Sequence, residues 1–168
     1  MELHAHLDIA APAAAVWHLI GERFGDIGQW AVPITSSSLD GVPAVGAVRQ
    51  CHVAGFGPVP PGVIHEKLTV FEPASMRFEY AAVRGMPAII KRATNRWQVV
   101  PAGPQACVVR IHATMALRGL AALTAPLMKW RMINDSKLVL EELKHRAEHG
   151  QPHPRKSAAH KRLLNGQL

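Results

Sequence analysis

The strongest constraint on the fold is a long series of short strand patterns that ends in one uninterrupted helical pattern. Between residues 34 and 117, apolar and polar residues alternate in short runs separated by turn signals such as Asp40-Gly41. A helical repeat then covers residues 124–149, and Gly150 follows it. A largely antiparallel sheet must bury one face, and a single long helix is the only element long enough to cover it. The sequence therefore predicts an α+β domain.

The pattern also predicts the individual elements. Strands are expected at residues 2–9, 36–39, 45–54, 63–71, 76–83, 89–100 and 106–117. Two short helices are expected after the first strand, one opened by Ala11-Pro12 and one over residues 26–30. The apolar stripe of the long helix is predicted as Leu123, Leu127, Trp130, Ile133, Leu140, Leu143 and Ala147. We thus predict a curved antiparallel sheet of six to seven strands around a long C-terminal helix.

Composition narrows the class of protein. Hydrophobic residues make up 48% and charged residues 18%, which is typical of a globular domain. No apolar run approaches the ~20 residues of a membrane span, and the first residues lack the pattern of a secretory signal. Cys51 and Cys107 do not form a disulfide framework. We therefore expect free thiols, a cytoplasmic protein and no integral membrane contact.

The net charge of +7 is unevenly distributed along the chain. Residues 150–168 contain four basic side chains and no acidic one, namely Arg155, Lys156, Lys161 and Arg162. We predict a domain over residues 1–149 and a flexible, solvated basic tail over residues 150–168. Contact of this tail with a lipid surface or a partner is the alternative. Because the tail has no aromatic residues and no base-reading module is visible, no nucleic-acid partner is predicted.

Three polar residues fall where strand alternation points them toward the core. Arg49 shares a face with Cys51 and Val53, while Glu66 shares one with Ile64, Leu68 and Val70. Asn95 shares a face with Trp97. A charge among apolar residues needs a partner, so an Arg49–Glu66 pair is expected if their strands are neighbours. Such a pair would either serve a ligand or be a purely structural ion pair.

Apolar and aromatic side chains complete the predicted cavity. Phe78 and Tyr80 lie on one strand face, and Trp97 and Trp130 are candidate walls for a flat molecule, or else ordinary core. The candidate ligand-contacting set is Arg49, Cys51, Val53, Phe56, Glu66, Phe78, Tyr80, Asn95, Trp97 and Trp130. If the protein is an enzyme, Glu66 is the candidate acid or base, with Arg49 or Tyr80 stabilising an oxyanion.

Metal chemistry and cofactors are not predicted. His145-Arg146-Ala147-Glu148-His149 matches an H-x-x-E-H pattern, but no acidic ligand follows it in the chain. His4 and His6 share a strand face without an obvious third ligand. The glycines at 55 and 57 lack the following helix of a dinucleotide site.

Several short motifs together resemble the polyketide cyclase/dehydrase-type (SRPBCC) members of the START-like helix-grip superfamily. They are Ile9-Ala10-Ala11-Pro12 with Val16-Trp17, Val45-Gly46-Ala47-Val48-Arg49, Glu66-Lys67-Leu68, Phe78-Glu79-Tyr80, Asn95-Arg96-Trp97, and Leu143-Lys144 with Glu148. The resemblance covers residues 3–149. It implies a cavity between the sheet and the terminal helix, with residues 55–62, including Phe56, at the position of a gate. The plant abscisic-acid receptors resemble distant relatives of this chain, and in them the glutamate that matches Glu66 lines the pocket.

The expected function is binding of a largely apolar small molecule, whether lipid-like, polyketide or aromatic, by a carrier or sensor. The alternative is an enzyme of the cyclase, dehydrase or isomerase type that uses Glu66 as acid or base. Both depend on the same residues, so the sequence leaves the two open.

Overall fold

The computed structural model describes residues 1–55 and 60–164, with all of their side chains except those of Ala122, Leu163 and Leu164. Seven strands are present: β1 (Glu2–Ile9), β2 (Ile34–Leu39), β3 (Val48–Val53), β4 (Gly62–Glu72), β5 (Arg77–Arg84), β6 (Ile90–Gly103) and β7 (Ala106–Leu117). They form one antiparallel sheet in the order β1-β7-β6-β5-β4-β3-β2. The predicted sheet is confirmed.

Helices lie between β1 and β2 and after β7. Helix α1 (Ala13–Trp17) continues as a π-helical turn (His18–Glu22), and a 3₁₀ helix (Phe24–Gln29) follows. After β7 come a 3₁₀ segment (Gly119–Thr124), the long helix α2 (Ala125–His149) and helix α3 (Pro154–Leu164). The two short helices after β1 and the long helix after β7 were predicted, and together with the sheet they give the helix-grip arrangement.

The inner face of the sheet holds the core. On β7 the alternate residues Cys107, Val109, Ile111 and Ala113 are buried, as the alternation predicted. Elsewhere on this inner face, an aromatic cluster is centred on Phe78. The ring centroids of Phe24, Trp17 and Trp97 lie 5.5, 6.0 and 6.2 Å from that of Phe78. These aromatic contacts fix the helical segment after β1 against the sheet.

The pairing of β4 with β5 contains a register shift that strand alternation alone does not predict. Leu68 pairs with Tyr80, but the next paired residue is Val70, opposite Glu79. The extra residue of a bulge reverses the faces of the residues that follow it. Phe71 therefore packs against Trp17 at a centroid distance of 5.6 Å, although Val70 was the residue predicted to face inward.

The N-terminal half of α2 is turned away from its predicted orientation. Leu123, Leu127 and Trp130 are 79%, 67% and 60% exposed, whereas Leu140 and Leu143 are buried. Leu127 and Leu143 are 16 residues apart, which at 3.6 residues per turn places them roughly 160° apart on the helix. The predicted stripe thus merged two different faces of α2, and the prediction that Trp130 lines the cavity is wrong.

The C-terminal segment differs from the solvated tail that was predicted. Residues 154–164 form α3, and Lys156 is buried with its Nζ donating to the carbonyl oxygens of Ala31, at 3.0 Å, and Ile34, at 2.5 Å. Arg155 donates to Glu141 on α2 at 3.0 Å. Basic residues were expected to stay in water, but carbonyls and carboxylates of the domain supply partners for two of them. The division of the chain at residue 149 stays a prediction.

Two glycines with left-handed backbone angles provide a stability test. Gly85, after β5, has φ +87°, and a Cβ there would lie 1.9 Å from the carbonyl oxygen of Val63. Gly41 has φ +83° and open space around it. We expect Gly85→Ala to lower the free energy of unfolding by roughly 3 kcal/mol or more, because backbone strain and a clash with a fixed carbonyl add together. Gly41→Ala carries the strain alone, about 1 kcal/mol. Urea unfolding measures both, and equal losses would contradict the close approach at Gly85.

Candidate ligand-binding site

A cavity of about 170 Å³ lies between the inner face of the sheet and α2. Three of the predicted site residues line it: Glu66 from β4, Tyr80 from β5 and Asn95 from β6. The antiparallel register brings them together, because Tyr80 pairs with Asn95 on one side and Leu68, two residues from Glu66, pairs with Tyr80 on the other. Alternation put each side chain on the inner face, and the strand order made the three neighbours.

Asn95 has an unmet hydrogen-bonding need at this cavity. Its Nδ2 donates to the Tyr80 hydroxyl oxygen at 3.2 Å, while its buried Oδ1 has no partner among the described residues. Turning the amide over would exchange the positions of Oδ1 and Nδ2. In either orientation Tyr80 pairs with only one of these two atoms. Buried side-chain polar atoms normally have a partner, so the remaining amide atom indicates a place for a polar ligand group or a water molecule.

The Tyr80 hydroxyl stays neutral in this setting. Burial, together with the negative charge of Glu66, raises the pKa of Tyr80 well above its ordinary value. The hydroxyl therefore remains protonated at neutral pH. It can donate a hydrogen bond while it accepts the one from Asn95.

Arg49 and Glu66 form the expected ion pair. Arg49 Nε and Nη2 both donate to Glu66 Oε2, at 2.9 and 2.5 Å, and Nη1 donates to the carbonyl oxygen of Phe24 at 2.7 Å. The guanidinium carbon lies 3.8 Å from the centre of the Phe24 ring. Burial, the largest single effect, lowers the pKa of Arg49, but the charge and hydrogen bond of Glu66 together with Cys51 and Tyr80 outweigh it, so the net shift is upward and Arg49 stays cationic.

The pair has one member at the cavity and one behind it. Glu66 is among the residues that line the 170 Å³ cavity, whereas Arg49 is 3% exposed and lies on the side of the 3₁₀ helix that contains Phe24. Both interpretations left open by the sequence therefore apply to Glu66. It is held by a structural ion pair, and it also faces the space where a ligand would lie.

Cys51 belongs to this buried polar group and is not an activated nucleophile. Its Sγ donates to Glu66 Oε2 at 3.4 Å. Burial raises the pKa of the thiol to about 12, although Arg49 beside it acts in the opposite direction. The thiolate is the nucleophilic form of cysteine, so a thiol with this pKa is inert at neutral pH.

The predicted aromatic walls are part of a filled core. Phe78 and Trp97 are buried and stacked, with 8° between their ring planes. The space beside them and Arg49 amounts to only about 10 Å³, room for one water molecule at most. Val53 is likewise buried in the core. These side chains close one end of the domain instead of enclosing a ligand.

Of the two remaining candidates, the structure describes one. Trp130 is exposed on the outer side of α2, as described above. Phe56 lies outside the described residues, so the gate predicted over residues 55–62 stays a prediction.

The predicted set of site residues lacked the methionine and α2 residues of the cavity. Met86, Met115 and Met132 line it, and Asp135 approaches from α2. Burial raises the pKa of the Asp135 carboxyl, and Arg131 opposes the shift. Met115 had a signal in the inward alternation of β7, and Met86 had one in the turn Gly85-Met86-Pro87, a predicted rim of the pocket. Met132 and Asp135 depend on how α2 is rotated.

A second cavity adjoins the first. It has a volume of about 350 Å³ and lies between α2, α3 and the start of β2. Asp135 lines both cavities, so they meet at this side chain. Glu142, Arg155 and Lys156 in the second cavity have partners within the protein, for example Glu142 Oε2, which accepts from the backbone N–H of Val32 at 2.8 Å. Arg155 Nε also lacks a hydrogen bond, but its guanidinium is already paired with Glu141 through Nη2 and lies 3.6 Å from Glu142. We favour the smaller cavity for recognition because three predicted site residues line it and Asn95 Oδ1 has no partner there.

The buried pair generates a stability prediction. Arg49→Met leaves the mostly buried Glu66 carboxylate without its cationic partner and also removes the donor to Phe24, so we expect a loss of roughly 3–5 kcal/mol of unfolding free energy. Arg77→Met breaks an exposed pair with Glu72 and serves as the matched control, with an expected loss below about 1 kcal/mol. Urea unfolding at neutral pH compares them. Similar losses in both variants would show that the Arg49 pair does not support the fold.

Comparison with known proteins agrees with this architecture. A START superfamily protein from Mycobacterium smegmatis is 16% identical with a TM-score of 0.73, covering 89% of this chain and 99% of that one. A protein from Thermobifida fusca is 24% identical with a TM-score of 0.70, covering 90% and 97%. The Zhui aromatase/cyclase from Streptomyces sp. R1128 is 14% identical with a TM-score of 0.69, covering 91% and 99%. At these identities the likeness shows the fold alone.

No curated protein matches the chain in sequence. A family model, described as polyketide cyclase / dehydrase and lipid transport, matches residues 2–148, from the first strand almost to the end of α2. The chain therefore belongs to the polyketide cyclase / dehydrase and lipid transport family.

Proposed function

We propose that this protein binds a small, largely apolar molecule with one hydrogen-bonding group, as a carrier or sensor. The observation that carries the proposal is the buried Asn95 amide, which lines the cavity and has one atom without a partner. The neutral Tyr80 hydroxyl beside it offers a second hydrogen bond. Ligand sites are typically apolar with polar groups at a few positions, and most of the surface of this cavity is apolar.

The size and lining of the cavity limit the ligand. A volume of 170 Å³ is close to that of a cavity of about 150 Å³ that holds one benzene ring. Methionines 86, 115 and 132 are flexible and polarizable, so they can adapt to more than one ring or chain. A longer molecule would extend past Asp135 into the adjoining 350 Å³. We therefore favour a ring or head group in the inner cavity and an apolar remainder directed outward.

Two fluorescent probes test the hydrogen bond and the cavity separately. We expect 2-naphthol to bind more tightly than naphthalene, and Asn95→Leu to weaken 2-naphthol roughly 2- to 10-fold while leaving naphthalene unchanged, because one hydrogen bond is lost at similar volume. Met132→Trp should exclude both probes by filling the cavity. Leu127→Trp, on the exposed side of α2, is the matched control and should bind both normally.

Fluorescence titration measures these affinities, and native mass spectrometry of the purified protein identifies any molecule it retains. If Met132→Trp binds both probes as the wild type does, the cavity is not the binding site and the proposal fails. If Asn95→Leu changes both probes equally, Asn95 does not recognise a polar group.

An enzyme of the cyclase or dehydrase type is the second candidate. It is supported by the family description and by a neutral Tyr80 hydroxyl and the Glu66 carboxylate lining one cavity. Glu66→Gln is a poor test, because it would leave the cation of Arg49 buried without its partner. Tyr80→Phe removes the hydroxyl and keeps the ring. If the wild type converts a bound molecule and Tyr80→Phe still binds it but no longer converts it, the enzyme is favoured. If the wild type returns the ligand unchanged, the carrier is favoured.

We further propose that the ligand is lipid-like and is exchanged at an anionic membrane surface. Within the described part of the chain no helix has the length and apolar character to cross a bilayer. The proposed contact is a surface formed by the exposed side chains of Leu120, Leu123, Leu127 and Trp130, here called the leucine–tryptophan face. Single exposed apolar residues are ordinary, but four within 11 residues around one helix start indicate an interaction surface.

The charge around this face fits an anionic membrane. No acidic residue occurs between Glu79 and Asp135. Arg118, Lys129 and Arg131 are exposed next to the leucine–tryptophan face. The backbone N–H of Arg118 donates to the carbonyl oxygen of Ile89 at 2.8 Å. This bond places the start of the 3₁₀ segment Gly119–Thr124 beside the β5–β6 turn, which contains the cavity residue Met86. Basic and apolar residues together bind anionic lipid surfaces, each basic residue adding about 1 kcal/mol near the surface. We assign the contact to this face and not to α3, where Arg155 and Lys156 already have partners.

Vesicle co-sedimentation tests this surface. We expect the wild type to bind phosphatidylcholine vesicles containing 30% phosphatidylglycerol and not pure phosphatidylcholine, with binding weakened by high salt. The double variant Leu127→Gln/Trp130→Gln should lose at least ~10-fold in affinity, whereas Val42→Gln, an equally exposed control on a distant turn, should bind normally. Size-exclusion chromatography tests whether the leucine–tryptophan face binds a second copy of the chain instead of a membrane. A wild type that forms a dimer and binds no vesicles, with a double variant that is monomeric, would contradict the membrane assignment.

A further inference from the structure

The outer face of the sheet carries a row of metal-ligand side chains on β1. Glu2, His4, His6 and Asp8 alternate along the strand, so all four point away from the core and are exposed. The antiparallel pairing with β7 places His112 directly opposite His4. None of these residues contributes to the ligand cavity, which lies on the inner face.

Three of these side chains converge. The rings of His4 and His112 are stacked with centroids 4.3 Å apart. Glu2 Oε2 lies 4.0 Å from His4 Nε2 and 3.9 Å from His112 Nε2. One ligand atom from each residue lies within 4.8 Å of the other two. The sequence did not reveal these three ligands as a set, because His112 is far from Glu2 and His4 along the chain. Only the register between β1 and β7 brings His112 next to them.

His112 provides an independent indication of a missing partner. Its Nε2 is buried and accepts or donates no hydrogen bond among the described residues. The nearest carboxylate oxygen, 3.9 Å away on Glu2, is beyond hydrogen-bonding distance. An imidazole nitrogen without a hydrogen-bond partner can serve as a metal ligand, and Glu2 and His4 are the neighbouring side chains of ligand type.

The distances suit a borderline divalent cation such as zinc. Zinc takes imidazole nitrogen and carboxylate oxygen at about 2.0–2.1 Å in a tetrahedron, whose ligand atoms stand roughly 3.4 Å apart. The two measured distances to Glu2 Oε2 therefore need to shorten by roughly half an ångström each. Parallel rings do not aim at one point, so one imidazole must rotate. The His4 side chain is 72% exposed and has the space to do so.

The neighbouring charges permit such a site. Arg96 lies opposite His112 on β6, but its guanidinium donates to Glu79 at 2.9 Å, so its charge is already paired. Arg110 lies opposite His6, two residue pairs further along the strand. Glu2 brings the negative charge that offsets part of the cation's charge.

We propose that Glu2, His4 and His112 form a zinc-binding site of the His₂Glu type on the outer face of the sheet, with a fourth position open to water. Because the site is shallow and exposed, we expect micromolar and not structural affinity. The site is independent of the ligand cavity and of the membrane face.

Isothermal titration calorimetry with ZnCl₂ on the full chain, free of any polyhistidine tag, tests this site. The wild type should bind one zinc ion here, and His112→Ala and His4→Ala should each weaken that event at least ~10-fold, because a three-ligand site loses a ligand. His6→Ala is the matched control, since His6 is on the same strand face but outside the cluster, and it should bind normally.

A second histidine group must be separated in the same experiment. His145 stacks on His149 at 4.4 Å and meets His153 at 5.0 Å near the end of α2. His149→Ala should leave the proposed site intact. Zinc binding that His149→Ala removes and His112→Ala preserves would overturn the proposal, as would the absence of any zinc binding at millimolar concentration. Circular dichroism of each variant confirms that these surface changes leave the fold unaltered.

Discussion

The rest of the domain depends on the ion pair and hydrogen bonds that the Arg49 guanidinium forms. The guanidinium joins three parts of the chain: β3, which contains it, β4 through Glu66, and the 3₁₀ helix through the carbonyl of Phe24. Removing a guanidinium from water is costly, and the paired carboxylate, the carbonyl and the Phe24 ring together replace its hydration. Because Nε and Nη2 both donate to Glu66 Oε2 while Nη1 is held by Phe24, the pair also fixes the orientation of Glu66, and with it one wall of the cavity.

The inner face of the sheet is divided between a filled half and an open half. Aromatic side chains packed around Phe78 occupy the half covered by the helical segment after β1. In the other half α2 passes over Tyr80 and Asn95 at a distance that leaves about 170 Å³. Flexible methionines line this space in place of rigid aromatic rings. The division places the polar groups of Tyr80 and Asn95 where a bound molecule can reach them, and leaves Trp97 to stabilise the domain.

The positive charge of the chain serves different purposes in different places. Arg49 and Lys156 are buried and hold elements together through carbonyl and carboxylate partners. The long segment between Glu79 and Asp135 has no acidic residue, and its exposed basic side chains surround an apolar surface. A net charge of +7 is thus partly structural and partly available to an anionic surface. The histidines of β1 add a separate polar face on the opposite side of the sheet.

The sequence by itself determined the strands, their buried faces, the long final helix and the pairing of Arg49 with Glu66. Period-two alternation and turn residues are local signals, and they survive in the fold because each strand buries one face. Tertiary structure alone decided the rotation of α2, the reversal of faces at the β4 bulge, and the docking of α3 through Lys156. It also decided that Trp97 fills the core while Trp130 faces outward. These features depend on register and on contacts between distant segments, because an apolar residue is compatible with either face until its partners are in place.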